Sequence, residues 1–369
     1  MTLDFASALE AAQAIRRKRV SSVELTRHAL DRIGRYDPQI NSFVYLTRDD
    51  ALARARRLDK SLAKGKRLGP FHGVPFHVKE SFAVAGQPCT WGIPALKDAK
   101  AAQNSEAVDR LLEAGAVLLG ATNVPMNLGD AQSYNKIYGT TNNPWDLART
   151  PGGSSGGSAA ALAAGLGYLS VGSDIGGSLR GPAHCCGIYA HKPTLDLVSM
   201  RGHLPGGTMV NPGFSTLLSV AGPMARSAED VLVALKVLGG PTSWDAKAWR
   251  WKMPPSRARA IKDFRVGYVL EDPVAPVSPE IKPLLEQTTE ALRRAGAKLK
   301  PGWPPGYNHG ELLANYQFML HAFLYSVTPP AQQEAQKATA GPGLASFAQW
   351  QRQNLMRVAF RARWQAYFQ

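Results

Sequence analysis

Two glycine- and serine-rich stretches and one lysine carry the residue types for acyl-transfer chemistry. The first stretch is Gly152-Gly153-Ser154-Ser155-Gly156-Gly157-Ser158 and the second is Asp174-Ile175-Gly176-Gly177-Ser178-Leu179-Arg180. The lysine is Lys79, which ends the apolar run Val74-Pro75-Phe76-His77-Val78. A lysine at the end of a buried strand is desolvated, which disfavours the ammonium and lowers its pKa. Bringing a lysine from about 10.4 to near 7 takes roughly 4 to 5 kcal/mol of environment. A neutral lysine can act as a general base, and serine–lysine systems are a variant of the Ser-His-Asp triad. Taken locally, a surface lysine at a strand end is the plainer alternative.

The second stretch follows a strand and opens a helix at Leu179. Successive backbone N–H groups in such a turn point the same way and can hold a developing oxyanion, with the Ser178 hydroxyl beside the bound carbonyl carbon. A phosphate-binding loop or a tight turn is the alternative. No Gly-Lys-Ser/Thr follows, which excludes a P-loop, and no glycine stands two residues after Ser178, so the GxSxG elbow is absent. In the first stretch, Ser154 or Ser155 can bridge Lys79 and Ser178 and pass a proton between them. Taken alone, a GGSSGGS run is a flexible loop.

The elements that must position these residues alternate between helix and strand. Helices are expected over 4–18, from a capping box at Ser21-Ser22-Val23-Glu24 to about Arg35 before Pro38, and over 48–63. A turn and strand end at Lys79, a helix covers 104–114, a strand 116–120 and a helical turn 125–130. Between the two glycine stretches lie a helix from Ala159 to Gly165 and a strand from Tyr168. A glycine- and proline-rich loop covers 202–213, Gly222 to Ser227 leads into a helix over 227–238, and 240–262 is a loop excursion. A β-α-β segment over 264–300 is expected to add a layer to the same sheet. Helices cover 309–326 and 344 to the end, with a polar loop over 328–343. The alternation gives an α/β fold: a mixed, mostly parallel sheet with helices on both faces.

Composition bounds the rest. A chain of 369 residues with ordinary hydrophobic content holds one large α/β domain or two smaller ones. Three cysteines, Cys89, Cys185 and Cys186, make no disulfide framework, and the first twenty residues lack the apolar core of a signal peptide; both favour a reducing, cytoplasmic setting. No apolar run reaches the ~18 residues of a membrane span. The net charge is +15, and residues 1–70 hold fifteen Lys and Arg against eight Asp and Glu, with clusters at Arg16-Arg17-Lys18-Arg19 and Lys64-Gly65-Lys66-Arg67. No aromatic interleaving or nucleic-acid motif accompanies the charge, so a basic soluble surface is expected and nucleic acid is not.

With these residues assembled, the chain resembles the amidase signature family. The matching positions are Pro151 to Ser158, Gly172 to Arg180, Pro182, Cys186-Gly187 and Lys192-Pro193-Thr194. His72-Gly73-Val74-Pro75, Val78-Lys79, Thr122-Asn123 and Gly222 to Ser227 match as well. The likeness is close over residues 5–240 and looser beyond. The resemblance implies a single domain with its catalytic core over 65–240. It also implies a Ser–cisSer–Lys triad: Ser178 as nucleophile, Ser154 as relay after a cis peptide bond, and Lys79 as base. Ile175, Gly176, Gly177 and Ser178 supply the oxyanion hole by the same resemblance. Asp174, Arg180 and Ser155 support the site, and neither metal nor organic cofactor is implied. His184, Cys185 and Cys186 take a structural role, Cys186 matching a packing position.

The implied substrate is a small-molecule carboxylic amide, with esters, anilides or carbamates as co-substrates; a homodimer is compatible with this. Two other readings are the glutaminase subunit of a tRNA-dependent amidotransferase and a non-catalytic remnant. Glu80 stands where the family often has Asp, and Gly181 where a larger apolar residue is usual. Members usually continue for several dozen further residues, so 241–369 is expected to be an incomplete C-terminal part. Met126, Tyr134, Met209, Phe214, Tyr316 and Phe318 are the candidates for an apolar acyl pocket.

Overall fold

The computed structural model describes residues 3–66, 69–207, 217–242, 244–327 and 346–369. They form two compact units, Met1–Met253 and Pro254–Gln369. In the first unit the elements are α1 (Ala8–Arg16), α2 (Ser22–Ile40), β1 (Phe43–Leu46), α3 (Arg48–Ala63), β2 (Pro75–Lys79), α4 (Glu106–Glu113) and β3 (Val117–Thr122). There follow β4 (Tyr134–Asn135), β5 (Gly139–Thr140), α5 (Gly156–Ala163), β6 (Leu169–Asp174), α6 (Arg180–Cys186), β7 (Tyr189–Ala190), β8 (Val220–Ala225) and α7 (Ala228–Leu238).

Local chemistry starts the first two helices. Ser7 with Glu10, and Ser21 with Glu24, form reciprocal capping boxes that satisfy amides the helix itself leaves open. Helix α2 runs through Pro38 to Ile40 rather than ending near Arg35. A proline removes one N–H from the ladder, and here it does so in the last turn. Asp37 holds that turn: its carbonyl accepts from Asn41 N–H, and its carboxylate from Ser42 N–H, Ser42 Oγ and Phe43 N–H.

The sheet order is β1-β3-β2-β6-β8-β7. Strands β2, β3 and β6 pair in parallel, while β1 pairs antiparallel with β3, and β8 antiparallel with both β6 and β7. Four of the six strands therefore run one way, and the sheet is mixed. Helices cover both faces. On one, Phe76, Val78, Leu118, Leu169 and Val171 pack with Ala12 and Ile15 of α1, Leu111 of α4 and Leu235 of α7. On the other, Val117, Leu119 and Met224 pack with Leu30 of α2, Leu58 of α3 and Leu162 of α5.

Strand β8 arises from Val220-Ala221-Gly222-Pro223-Met224-Ala225, a stretch whose glycine and proline argue against a strand in mid-sheet. The Pro223 carbonyl accepts from His191 N–H at 3.1 Å, beyond the two-residue β7 ladder. In a strand, a residue's N–H and C=O face the same side. The N–H that Pro223 lacks would have faced His191, and the pairing to β6 loses nothing.

His77, in the middle of β2, is fully buried with Phe43 edge-on at 5.3 Å, and neither ring nitrogen has a hydrogen-bond partner among the described residues. Burial, and then the Arg226 charge, press its pKa down to about 3 from 6.5. The folded state thus refuses a proton that the unfolded chain accepts. The stability this represents is complete above about pH 6.5 and is lost as pH falls toward 3, by up to about 1.4 kcal/mol per pH unit. His77→Leu is expected to flatten the acid limb of urea-unfolding free energy between pH 6 and 4 by that slope; an unchanged slope refutes it.

The second unit contains β9 (Arg265–Tyr268), α8 (Lys282–Arg294), β10 (Lys298–Pro301), α9 (His309–Val327) and α10 (Phe347–Tyr367). The β-α-β segment does not add to the large sheet. Strands β9 and β10 pair in parallel as a two-stranded sheet of their own. Helix α10 packs on α9, where Asn315 Nδ2 donates to the Gln353 carbonyl at 2.8 Å. Among the described residues, no helix is long and apolar enough to cross a membrane.

Candidate active site

The parallel strands β3, β2 and β6 bring their carboxyl ends side by side, where α/β sheets place their ligand sites. Lys79 ends β2 opposite Thr122 of β3, and Asp174 ends β6. The Lys79 side chain is fully buried. Its Nζ lies 2.6 Å from Ser154 Oγ and 3.0 Å from Ser173 Oγ. Burial lowers its pKa from 10.5 to about 7, against the opposing pull of Asp174. Among the described residues no carboxylate forms an ion pair with it.

The first glycine stretch delivers Ser154 to this amine. The Gly153–Ser154 peptide is cis. Gly152 has φ +83°, and a Cβ there would stand 2.8 Å from Pro182 Cα, so glycine is required. Helix α5 starts just beyond, and the Ser155 N–H donates to the Ser178 carbonyl at 3.3 Å. That bond ties the two glycine stretches together. Ser155 Oγ donates to the Ser173 carbonyl at 3.4 Å, while Ser158 Oγ pairs with Thr122 Oγ1 at 2.7 Å.

The second stretch forms the loop from β6 to α6 and is braced from below by Asp174. That carboxylate accepts from Gly177 N–H at 2.9 Å, from Leu179 N–H at 3.0 Å, and from Arg180 through Nε at 3.1 Å and Nη2 at 2.9 Å. Burial alone raises the Asp174 pKa, but the Arg180 hydrogen bond, the loop amides and the Arg180 charge outweigh it and hold the carboxyl below its ordinary value. Gly176 is exposed, and Ile175, Gly177 and Ser178 are half-buried. The Gly177 N–H is committed to Asp174, whereas those of Gly176 and Ser178 have no acceptor among the described residues. Ser178 is half-buried, and its Oγ makes no hydrogen bond among the described residues.

Glu80, next to Lys79, points elsewhere. Its carboxylate takes Thr90 N–H, Thr90 Oγ1 and Trp91 N–H, which fixes the turn at Thr90–Gly92. Burial pushes it up to about 7 against those hydrogen bonds. Cys186 is buried with its thiol toward the Pro151 carbonyl, and the Cys185 carbonyl accepts from Asn143. No cluster of three His, Cys, Asp or Glu side chains among the described residues could hold a metal ion.

Two residues at the site have no signal in the sequence as roles. Ser173 Oγ touches both Lys79 Nζ and, at 2.9 Å, His203 Nε2; His203 Nε2 also lies 3.0 Å from Ser81 Oγ. Ser173 is visible only as a motif neighbour of Asp174, and nothing beside His203 marks it. Of the pocket candidates, Met126 and Tyr134 are exposed, and Tyr316 and Phe318 are half-buried on α9 of the second unit. Met209 and Phe214 lie outside the described residues, as does the loop over 328–343.

The chain matches the family described as Amidase over residues 24–357. It is 38% identical over 295 residues to a glutamyl-tRNA(Gln) amidotransferase subunit of Acidothermus cellulolyticus, covering 79% of this chain and 57% of that protein. It is 36% identical over 306 residues to an indoleacetamide hydrolase of Bradyrhizobium diazoefficiens, covering 82% of this chain and 57% of that one. The chain thus spans less than two thirds of the length of the curated relatives it matches. Among solved structures, a fatty acid amide hydrolase superposes with a TM-score of 0.85 at 27% identity, covering 99% of this chain and 66% of that chain. A bacterial aryl acylamidase superposes with a TM-score of 0.82 at 26% identity, covering 99% and 78%. A match over residues 24–357, on a mixed sheet whose strand ends carry Lys79 and Asp174, makes this chain a member of the amidase signature family.

Proposed function

We propose that this chain hydrolyses carboxylic amides through an acyl-enzyme on Ser178, with Ser154 as relay and Lys79 as base. The observation that carries this reading is the 2.6 Å contact between Ser154 Oγ and an amine that is fully buried and has no carboxylate partner among the described residues. A lysine with a pKa of about 7 is half neutral at neutral pH and can accept a proton. Lys79 takes the Ser154 proton as Ser154 takes that of Ser178, and Ser178 Oγ attacks the carbonyl carbon. The loop amides of Gly176 and Ser178, without an acceptor among the described residues, receive the oxyanion, while the Gly177 N–H, expected in the same hole, is held by Asp174. The relay then returns the proton to the departing amine. Water, deprotonated by the same relay, releases the acid and restores Ser178. Esters, anilides and carbamates present the same carbonyl to the same groups.

The test is partition of the acyl-enzyme. A primary amide and an anilide of one aromatic acid, each with hydroxylamine present, are expected to give the same ratio of hydroxamate to acid. A ratio that changes with the leaving amine rules out a common acyl-enzyme. A second reading, the amide-cleaving part of an amidotransferase, is favoured by the 38% identity to a component of one. Turnover of simple aryl amides by the isolated chain separates the two, since an amidotransferase component is expected to cleave them poorly without its partners.

A further inference from the structure

We propose that His203 is a positioning residue for Lys79: acting through Ser173, it turns the amine so that its lone pair faces Ser154. The inference rests on the reading of Lys79 as a base. The contacts form one chain: Ser154 Oγ to Lys79 Nζ at 2.6 Å, Lys79 Nζ to Ser173 Oγ at 3.0 Å, and Ser173 Oγ to His203 Nε2 at 2.9 Å.

A neutral amine has two N–H donors and one lone pair. To take a proton from Ser154, the lone pair must point at Ser154 Oγ, and an N–H then points at Ser173 Oγ. Ser173 can accept that N–H and keep this polarity only if its own hydrogen points away from Lys79. The acceptor in that direction is His203 Nε2, provided the ring carries its proton on Nδ1. A proton on Nε2 reverses the chain. Nε2–H would then donate to Ser173, whose hydrogen would turn onto the Lys79 lone pair and take it from Ser154. Neutral His203 in one tautomer thus sets the direction of every bond as far as Ser154. Ser81 Oγ, at 3.0 Å, is a second hydroxyl on the same nitrogen and competes with Ser173 for its one lone pair.

The fold holds the ring for this task. His203 is 6% exposed, with Phe82 edge-on at 4.6 Å and Trp91 tilted against it at 5.0 Å. Gly202 precedes it at φ +80°, where a Cβ would fall 2.6 Å from Ser105 Cα, and its carbonyl accepts from Ala83 N–H. The groups facing the ring are Ser173 from β6, Ser81 and Phe82 after β2, and Trp91 from the Thr90–Gly92 turn. All are uncharged; among the described residues, Lys79 beyond Ser173 is the titratable group that acts on the ring. Burial and that charge lower the His203 pKa to about 3, which keeps it neutral where the enzyme would work.

Two measurements test this. In variants, His203→Phe keeps a ring between Phe82 and Trp91 but removes the acceptor, and His203→Gln restores one. The expected result for His203→Phe is a kcat lower by roughly 10²-fold with KM held within about twofold. His203→Gln is expected to recover most of the loss. A His203→Phe enzyme with kcat within twofold of wild type, or a loss confined to KM, overturns the proposal. The second measurement needs neither turnover nor a variant that folds. Long-range 1H–15N spectra of the wild-type chain, with the ring assigned through its contacts to Phe82 and Trp91, are expected to show neutral His203 protonated on Nδ1 near pH 7. An Nε2–H tautomer or an imidazolium overturns it. Absence of amide turnover in the wild type would instead refute the reading of the site, and the tautomer would still be read.

Discussion

Lys79→Met is expected to yield a protein that is more stable and nearly inactive. On the proposed mechanism the base is removed, and a loss of up to about 10⁴-fold in kcat/KM follows. Stability moves the other way. The folded-state pKa is about 7 against 10.5 for an ordinary lysine, so the unfolded chain binds a proton that the folded one resists. The penalty is absent above about pH 10.5, grows as pH falls, and is complete at and below pH 7, where it amounts to roughly 5 kcal/mol. Methionine fills a similar volume without that penalty. It also leaves Ser154 Oγ without its Lys79 partner, which offsets about 1–3 kcal/mol. A net gain of a few kcal/mol at pH 7 that fades toward pH 10 is therefore expected in urea unfolding. Wild-type kcat/KM should have an acid limb centred near pH 7. A Lys79→Met protein less stable than wild type at pH 7 would falsify the neutral-amine reading.

What the sequence made legible was chemistry held by spacing along the chain. Asp174, Gly177 and Arg180 lie within one loop, so the brace they form follows from their order. Lys79 stands at the end of an apolar run, and the strand that run predicts is β2. The helices with polar caps, α1 and α2, and the amphipathic α3 follow from local pattern as well. The elements that escaped depend on long-range pairing. β8 looks like a turn until His191 and β6 are placed beside it, because Pro223 is harmless only if its N–H side faces away from β6. The β9–β10 pair has ordinary strand patterning, and no residue in it states which sheet it joins. Ser173 and His203 are the same case at the site. Each is a common residue type whose meaning comes from what the fold sets within 3.0 Å of it.

That distinction bears on how the serines are told apart, and Ser178→Ala against Ser154→Ala is the decisive comparison. Ser178 is half-buried, with its Oγ lacking a partner among the described residues, whereas Ser154 is buried against Lys79. If Ser178 is the nucleophile, Ser178→Ala abolishes covalent labelling by a fluorophosphonate and lowers kcat by about 10⁴-fold or more. Ser154→Ala leaves the nucleophile in place but breaks the route to the base. Labelling then persists at a reduced rate, and kcat falls by roughly 10²- to 10³-fold. Residues that act as one relay are not additive. Ser154→Ala combined with Lys79→Met should therefore lose little more than Lys79→Met alone, because a base without its relay and a relay without its base fail at the same proton. Losses that multiply would place Ser154 and Lys79 in separate steps. A label that still attaches in Ser178→Ala, mapped by peptide mass to Ser154 or Ser155, would move the nucleophile to the first glycine stretch.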